Sequence, residues 1–286
     1  AAYGSGRYFV AWQDRRVGST WDLWGVRIDA ATGAVLDPSG LALSTAAGDQ
    51  LSPSVASDGT DFLVVWRDRR TNTNYDIYGT RVSGSSGTVL DGPPATGGLA
   101  IATDAQHHRD VGVAFRTNYL VTWSGSNNVF ARRVQPSGAL LDGAASATGI
   151  TVSSGTKFQD SVGVAAGSTN FLVSYRHQGQ WSMVRANRVR ASDGVVLDTT
   201  PISVADLQGP NASNPAVASD GTNFLVLWYD NRFGPGYVFG QRIKESDGAL
   251  LDGNPTTGGI PITDSFAIFL AGGTFNPGGT QDAEIA

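Results

Sequence analysis

Val55-Ala56-Ser57-Asp58-Gly59-Thr60-Asp61-Phe62-Leu63-Val64-Val65-Trp66 is written again as Val217-Ala218-Ser219-Asp220-Gly221-Thr222-Asn223-Phe224-Leu225-Val226-Leu227-Trp228. Around these stretches three landmarks run in step through five copies. The aromatic that closes the apolar run falls at Trp12, Trp66, Trp123, Tyr175 and Trp228. A mid-repeat arginine falls at Arg27, Arg81, Arg133, Arg188 and Arg242, and a Leu-Asp pair ends at Asp37, Asp91, Asp142, Asp198 and Asp252. Successive aromatics lie 54, 57, 52 and 53 residues apart, a period in the range of propeller blades. What recurs five times reads as scaffold, and what breaks the pattern reads as candidate chemistry.

Composition agrees with strands and turns. Hydrophobic residues make up 41% and charged residues 16% of the 286 residues, with 37 glycines. Lys157 and Lys244 are the only lysines, and Glu245 and Glu284 the only glutamates. Strong helix formers are therefore scarce, and the composition favours sheet and tight turns. A net charge of −5 gives no electrostatic case for nucleic acid or anionic membranes. No apolar stretch approaches the ~20 residues of a membrane helix. The absence of cysteine excludes disulfides, thiolate metal sites and cysteine nucleophiles. The chain opens inside a repeat at Ala1-Ala2-Tyr3, so it reads as a processed product or an excerpt of something longer.

In the second repeat, Pro53-Ser54-Val55-Ala56 reads as a short strand and Ser57-Asp58-Gly59-Thr60 as a turn. Phe62 to Trp66 reads as a strand buried on both faces. Asp76 to Val82 alternates as a third strand. The fourth is either the Val89-Leu90-Asp91 piece or the Leu99-Ala100-Ile101-Ala102 piece. Four antiparallel strands per repeat, five times over, predict an all-β fold: a single five-bladed β-propeller domain spanning 1–286. The repeats run 1–52, 53–110, 111–160, 161–214 and 215–265. The tail, 266–286, carries the apolar run Phe266 to Ala271, expected to supply a closing strand to the first blade. Small residues at Gly25, Gly79, Ala131, Ala186 and Gly240 are expected to let neighbouring blades approach.

The repeat resembles one known from secreted and surface proteins of bacteria, V-A-S-D-G-T-x-F-L-V-x-W, then D-I-Y-G-x-R-V, then G-x-V-L-D. The resemblance covers nearly all of residues 1–265 and implies an exported propeller-like protein, extracellular, at the cell surface or periplasmic, without implying an activity. The Ser-x-Asp-Gly-Thr turn is also distantly similar to the Asp-box of sialidase-like propellers, S-x-D-x-G-x-T-W.

Candidate chemistry lies in loops and in departures from the repeat. Asp14-Arg15-Arg16, Asp68-Arg69-Arg70 and Asp230-Asn231-Arg232 follow the second strand. Arginine forks there suit an oxyanion or sugar, whereas the same pairs can staple a loop to the adjacent blade. The mid-strand arginines are expected to snorkel or to pair with the Leu-Asp carboxylates. Trp24, Tyr78, Phe130 and Phe239 share one position that the fourth repeat gives to Arg185, and that repeat also carries Arg176, His177 and Trp181. His107 and His108 lie in the connector between the second and third repeats. Propeller topology predicts that these loops share one rim. The candidate ligand-binding set is Arg176, His177, Trp181, Arg185, His107, His108, Asp68 and Arg70. No catalytic or metal motif is present. No cofactor is expected, calcium on Asp-Gly turns being the one left open.

These features predict a non-catalytic binding or structural module with a protein or glycan partner at the rim and no membrane insertion. Two alternatives stand beside it. One is a lectin-like propeller stacking sugars on Trp21, Trp181 or Tyr75; the other is a polysaccharide-active enzyme using rim Asp, Arg and His177.

Overall fold

The structure is a computed structural model that describes residues 1–71, 73–206, 212–231 and 236–263. The fold class is all-β, a five-bladed β-propeller by its sheets, each four-stranded and antiparallel. Blade 1 contains β1 (Ala2–Gly4), β2 (Arg7–Asp14), β3 (Asp22–Asp29) and β4 (Leu41–Ser44). Blade 2 contains β5 (Gln50–Ser57), β6 (Asp61–Asp68), β7 (Asp76–Ser83) and β8 (Leu99–Ala102). Blade 3 contains β9 (His108–Phe115), β10 (Tyr119–Gly125), β11 (Asn128–Val134) and β12 (Ile150–Ser153). Blade 4 contains β13 (Gln159–Ala166), β14 (Asn170–Gln178), β15 (Ser182–Arg190) and β16 (Ile202–Ala205). Blade 5 contains β17 (Ala212–Ser219), β18 (Asn223–Asp230), β19 (Tyr237–Lys244) and β20 (Ile260–Thr263). Two compact units divide the chain: residues 1–126 with 130–151, and residues 127–129 with 152 onward.

The fourth strand is the Leu-Ala-Ile-Ala piece, while the Val-Leu-Asp piece contributes only an isolated bridge, Val82 to Val89. Blades also begin earlier than the repeat boundaries. Gln50 and Leu51 already pair with Asp68 and Arg67, and the register then shifts before Ser54 meets Val65. Ser52 sits in that shift at φ 55°, and Asp110, Ser161 and Asn214 occupy the equivalent places at 49°, 52° and 50°. Such a bulge inserts one residue and carries the ladder past it. The expected closing strand, Phe266 to Ala271, lies outside the described residues. Ala2–Gly4 itself is the opening strand of blade 1, with Ala2 opposite Phe9.

Strand β6 shows why its apolar run is unbroken. Phe62, Val64 and Trp66 pack with Phe9, Leu23 and Leu43 of blade 1. Leu63 and Val65, on the opposite face, pack with Tyr119, Val121 and Trp123 of blade 3. The small residues at the mid-strand position serve their own blade rather than the neighbouring one. A Cβ on Gly25 would lie 2.5 Å from the Phe9 ring, and one on Gly79 2.9 Å from Ile101.

The repeated arginines and aspartates pair within each blade, as expected from sequence. Arg27–Asp37, Arg81–Asp91, Arg133–Asp142, Arg188–Asp198 and Arg242–Asp252 lie 2.6–2.7 Å apart. Arg27, Arg81 and Arg188 also donate, through the remaining guanidinium nitrogen, to a carbonyl of the next blade: Ser85, Pro136 and Glu245. The arginine thus closes its own hairpin and fastens the following one.

Blades 4 and 5 carry a second fastening. Asp58 Oδ1 accepts from the N–H groups of Thr60 and Asp61 in its turn, and Asp220 does the same for Thr222 and Asn223. Blade 4 has Gly167 there instead. Glu245, from blade 5, accepts from the N–H groups of Ser168, Thr169 and Asn170 and from two hydroxyls.

Candidate functional site

Within the first compact unit, hairpin loops and connectors meet at one end of the sheets. Trp21 N–H donates to the Asp49 carboxylate, and Arg69 N–H to the Asp49 carbonyl. His108 N–H donates to Tyr75 O, and the Asn74 amide donates to the carbonyls of Asp104 and Gln106.

The Asp-Arg-Arg motif is consumed by its own blade. Asp68 is 0% exposed and accepts from Trp66 Nε1 at 2.7 Å. Arg70 pairs with Asp68, lies 3.8 Å from the Tyr78 ring centre and donates to Gly97 O. Arg16 repeats this on Asp14, Trp24 and Ser39 O. The staple therefore reaches the outer part of the same blade, not the adjacent one. Each guanidinium covers an aromatic and satisfies a carbonyl, which leaves Asp68 and Arg70 no fork for a ligand.

Carboxyls converge at the hairpin ends. Asp14 lies directly opposite Asp22, and Asp68 directly opposite Asp76. Arg16 holds Asp14 down at about 2, while burial and the Asp14 charge push Asp22 up. Asp76 is 4% exposed, and burial, then the charges of Asp68 and Asp104, push it up to about 6. Asp104 Oδ1 stands 3.4 Å from His108 Nε2.

The two histidines part company. His107 is exposed and meets the Tyr75 ring edge-on at 5.3 Å. His108 begins β9 and is 0% exposed, so it lies inside the blade rather than on the rim. In blades 1, 2 and 5 the closing tryptophan donates to an aspartate two residues on. Blade 3 has Gly125 there, and a Cβ on it would stand 3.3 Å from His108 Nδ1. His108 fills the space of that carboxylate without taking its bond: among the described residues, neither ring nitrogen nor Trp123 Nε1 has a hydrogen-bond partner. Burial lowers the proton affinity of His108.

In the second compact unit, Arg176 pairs with Asp160, its cross-strand partner, through Nε at 2.6 Å. Arg185, in the aromatic slot, pairs with Asp206 at 2.9 Å and also contacts Ser203. His177 feels Arg185 and Asp206, with burial the largest influence lowering its proton affinity. Trp181 is 38% exposed, whereas Trp21 is faced by Arg15 at 4.4 Å and Tyr75 by Arg67 at 4.4 Å. Of the expected stacking platforms, Trp181 alone is without a ring partner among the described residues. The structure brings His177, Arg185 and Asp206 together. Arg67 and Asp76 lay outside the sequence-derived set.

Among the described residues, no group of three His, Asp or Glu side chains could hold a metal, and no helix is long and apolar enough to cross a membrane.

No protein-family model matches the chain, and no curated protein matches it. Solved structures with a similar fold include a thermostable family-43 glycoside hydrolase, 14% identical, covering 89% of this chain and 91% of that one at a TM-score of 0.49. An alpha-L-arabinofuranosidase from Lactobacillus brevis is 10% identical over 89% and 92% of the two chains, at 0.48. An arabinanase from Bacillus subtilis is 12% identical over 87% and 94%, at 0.42. At these identities the likeness is one of fold alone. The expectation of a non-catalytic binding or structural module is corrected here, because these similar folds belong to glycoside hydrolases.

Proposed function

We propose that the chain acts on polysaccharides as a glycosidic-bond hydrolase, with Asp76 as proton donor. The observation that carries this reading is the crowding of Asp68, Asp76 and Asp104 at the loop end of blade 2. Burial, and after it the like charges of Asp68 and Asp104, keep the proton on Asp76 to about pH 6. Glycoside hydrolysis needs one carboxyl that protonates the leaving oxygen and a second that acts as base or nucleophile. Asp104, whose Oδ1 accepts from Gln106 N–H, supplies the second. Asp68 is committed to Trp66 and Arg70 and acts through its charge alone. An extracellular or cell-surface setting belongs to this reading, since polymeric glycans lie outside the cell.

Release of reducing ends from arabinan, xylan and polygalacturonate tests it. Activity is expected on at least one polymer, declining as pH rises through about 6, and Asp76→Asn should lower it by roughly a hundredfold or more. Turnover unchanged in that variant, or no turnover on any polymer, overturns the reading. A second reading, glycan binding without cleavage, is favoured by the open ring of Trp181. It predicts affinity lost in Trp181→Ala and kept in Asp76→Asn.

A further inference from the structure

We infer that the loop end of blade 2 binds the carboxylate or sulfate of an acidic polysaccharide, with Arg67 as the central fork. This rests on the glycan-active reading above and names its substrate class.

Arg67 occupies the middle place of Trp66-Arg67-Asp68 on β6. The equivalent residue in blade 1 is neutral: Gln13, whose Oε1 accepts from Ser52 N–H at 2.6 Å. The equivalent residue in blade 4 is Arg176, which faces Asp160 across the ladder and pairs with it. Arg67 faces Leu51 instead. Among the described residues it makes no ion pair, and its buried Nε has no acceptor. Its one close partner is the Tyr75 ring.

The surroundings do not neutralise it. Asp110 is the carboxylate in its field, and Asp110 Oδ2 already accepts from Ser124 Oγ at 2.7 Å. Arg109 lies in the same field, and Arg67, Arg69 and Arg109 together lower the proton affinity of His107, after burial. Three guanidinium groups, Arg67, Arg69 and Arg109, thus share one field in a chain whose net charge is −5. A half-buried arginine fork without an acceptor is costly to keep, and the group that repays it is a planar or tetrahedral oxyanion. A neutral sugar hydroxyl can accept from it but cannot offset its charge.

Affinity electrophoresis in gels containing polygalacturonate, heparin, neutral arabinan or a nucleic-acid homopolymer tests the inference. Retention by polygalacturonate or heparin, falling steeply with salt, is expected, and the better of the two identifies carboxylate or sulfate as the ligand. Arg67→Gln should weaken that retention about tenfold or more, whereas Arg15→Gln on the equivalent loop of blade 1 should leave it within about twofold. Arg67→Lys, which keeps the charge and loses the fork, serves if the glutamine variant fails to fold and should lie between. Equal retention by arabinan, tighter retention by nucleic acid, or no effect of Arg67→Gln overturns the inference. Acidic-polymer binding without bond cleavage would remove the hydrolase reading alone. Cleavage of a neutral polymer without acidic-polymer binding would remove this inference alone.

Discussion

Glu245 receives both the backbone N–H and the hydroxyl of Thr169, at 2.7 and 3.0 Å. Two sequence departures explain each other through this contact. Blade 4 lacks the aspartate that caps the equivalent turn in blades 2 and 5, and a Cβ on Gly167 would lie 2.6 Å from the Glu245 carboxylate. One acidic group therefore does for blade 4, from outside, what Asp58 does for blade 2 from within. Glu245→Ala should cost about 2–4 kcal/mol, read from chemical denaturation, because it leaves buried donors unmet. Gly167→Asp should be destabilising alone and should recover much of the loss in Glu245→Ala. A double mutant as unstable as the sum of the singles would refute this exchange. The backbone donors hold Glu245 below its ordinary value despite burial. Its stabilisation is therefore full above about 4.5 and is lost as pH falls below that.

Asp76 behaves in the opposite sense. Its folded-state value, about 6, lies above the ordinary 3.8. The native state then holds the proton more tightly than the unfolded chain, and stability falls as pH rises from about 4 to about 6. The full cost is on the order of 3 kcal/mol. Asp76→Asn should flatten that part of the stability curve, and an unchanged slope would show that Asp76 is not the titrating group.

Arg81 carries both a fork on Asp91 and a reach to Pro136 O of the next blade. Lysine keeps the charge and cannot satisfy three directions at once. Arg81→Lys is expected to lower stability by about 2 kcal/mol, and thermal unfolding checks it.

His108 stands where blades 2 and 4 have Gln50 and Gln159. The Gln50 amide donates to the carbonyls of Ala46, Ala47 and Gly48, which His108 does not imitate. His108→Gln together with Gly125→Asp would restore the amide and the missing acceptor of Trp123. The pair should raise stability by about 1–2 kcal/mol, and a lower melting temperature would contradict it.

Sequence periodicity revealed the blades, the Arg–Asp forks and the two-sided burial of β6, since each is written into spacing. Other features depended on geometry that spacing does not carry. The bulges at Ser52 and Asp110 shift strand starts by several residues, which placed His108 in a loop on paper and in the sheet in space. Asp206, the partner of Arg185, comes from a connector 21 residues on. Arg67 looked like one more landmark neighbour until its cross-strand partner, Leu51, distinguished it from Arg176. Asp76 gave no sign of its raised proton affinity because burial, Asp68 and Asp104 cause it together.

The bulge residues, Ser52, Asp110, Ser161 and Asn214, share one left-handed conformation and differ in chemistry. The fold fixes the address and leaves the letter free. A single codon change there rewrites what a blade presents while the ladders on either side keep their pairing. Descendants of one duplicated blade can therefore acquire separate vocabularies without any of them relearning how to fold.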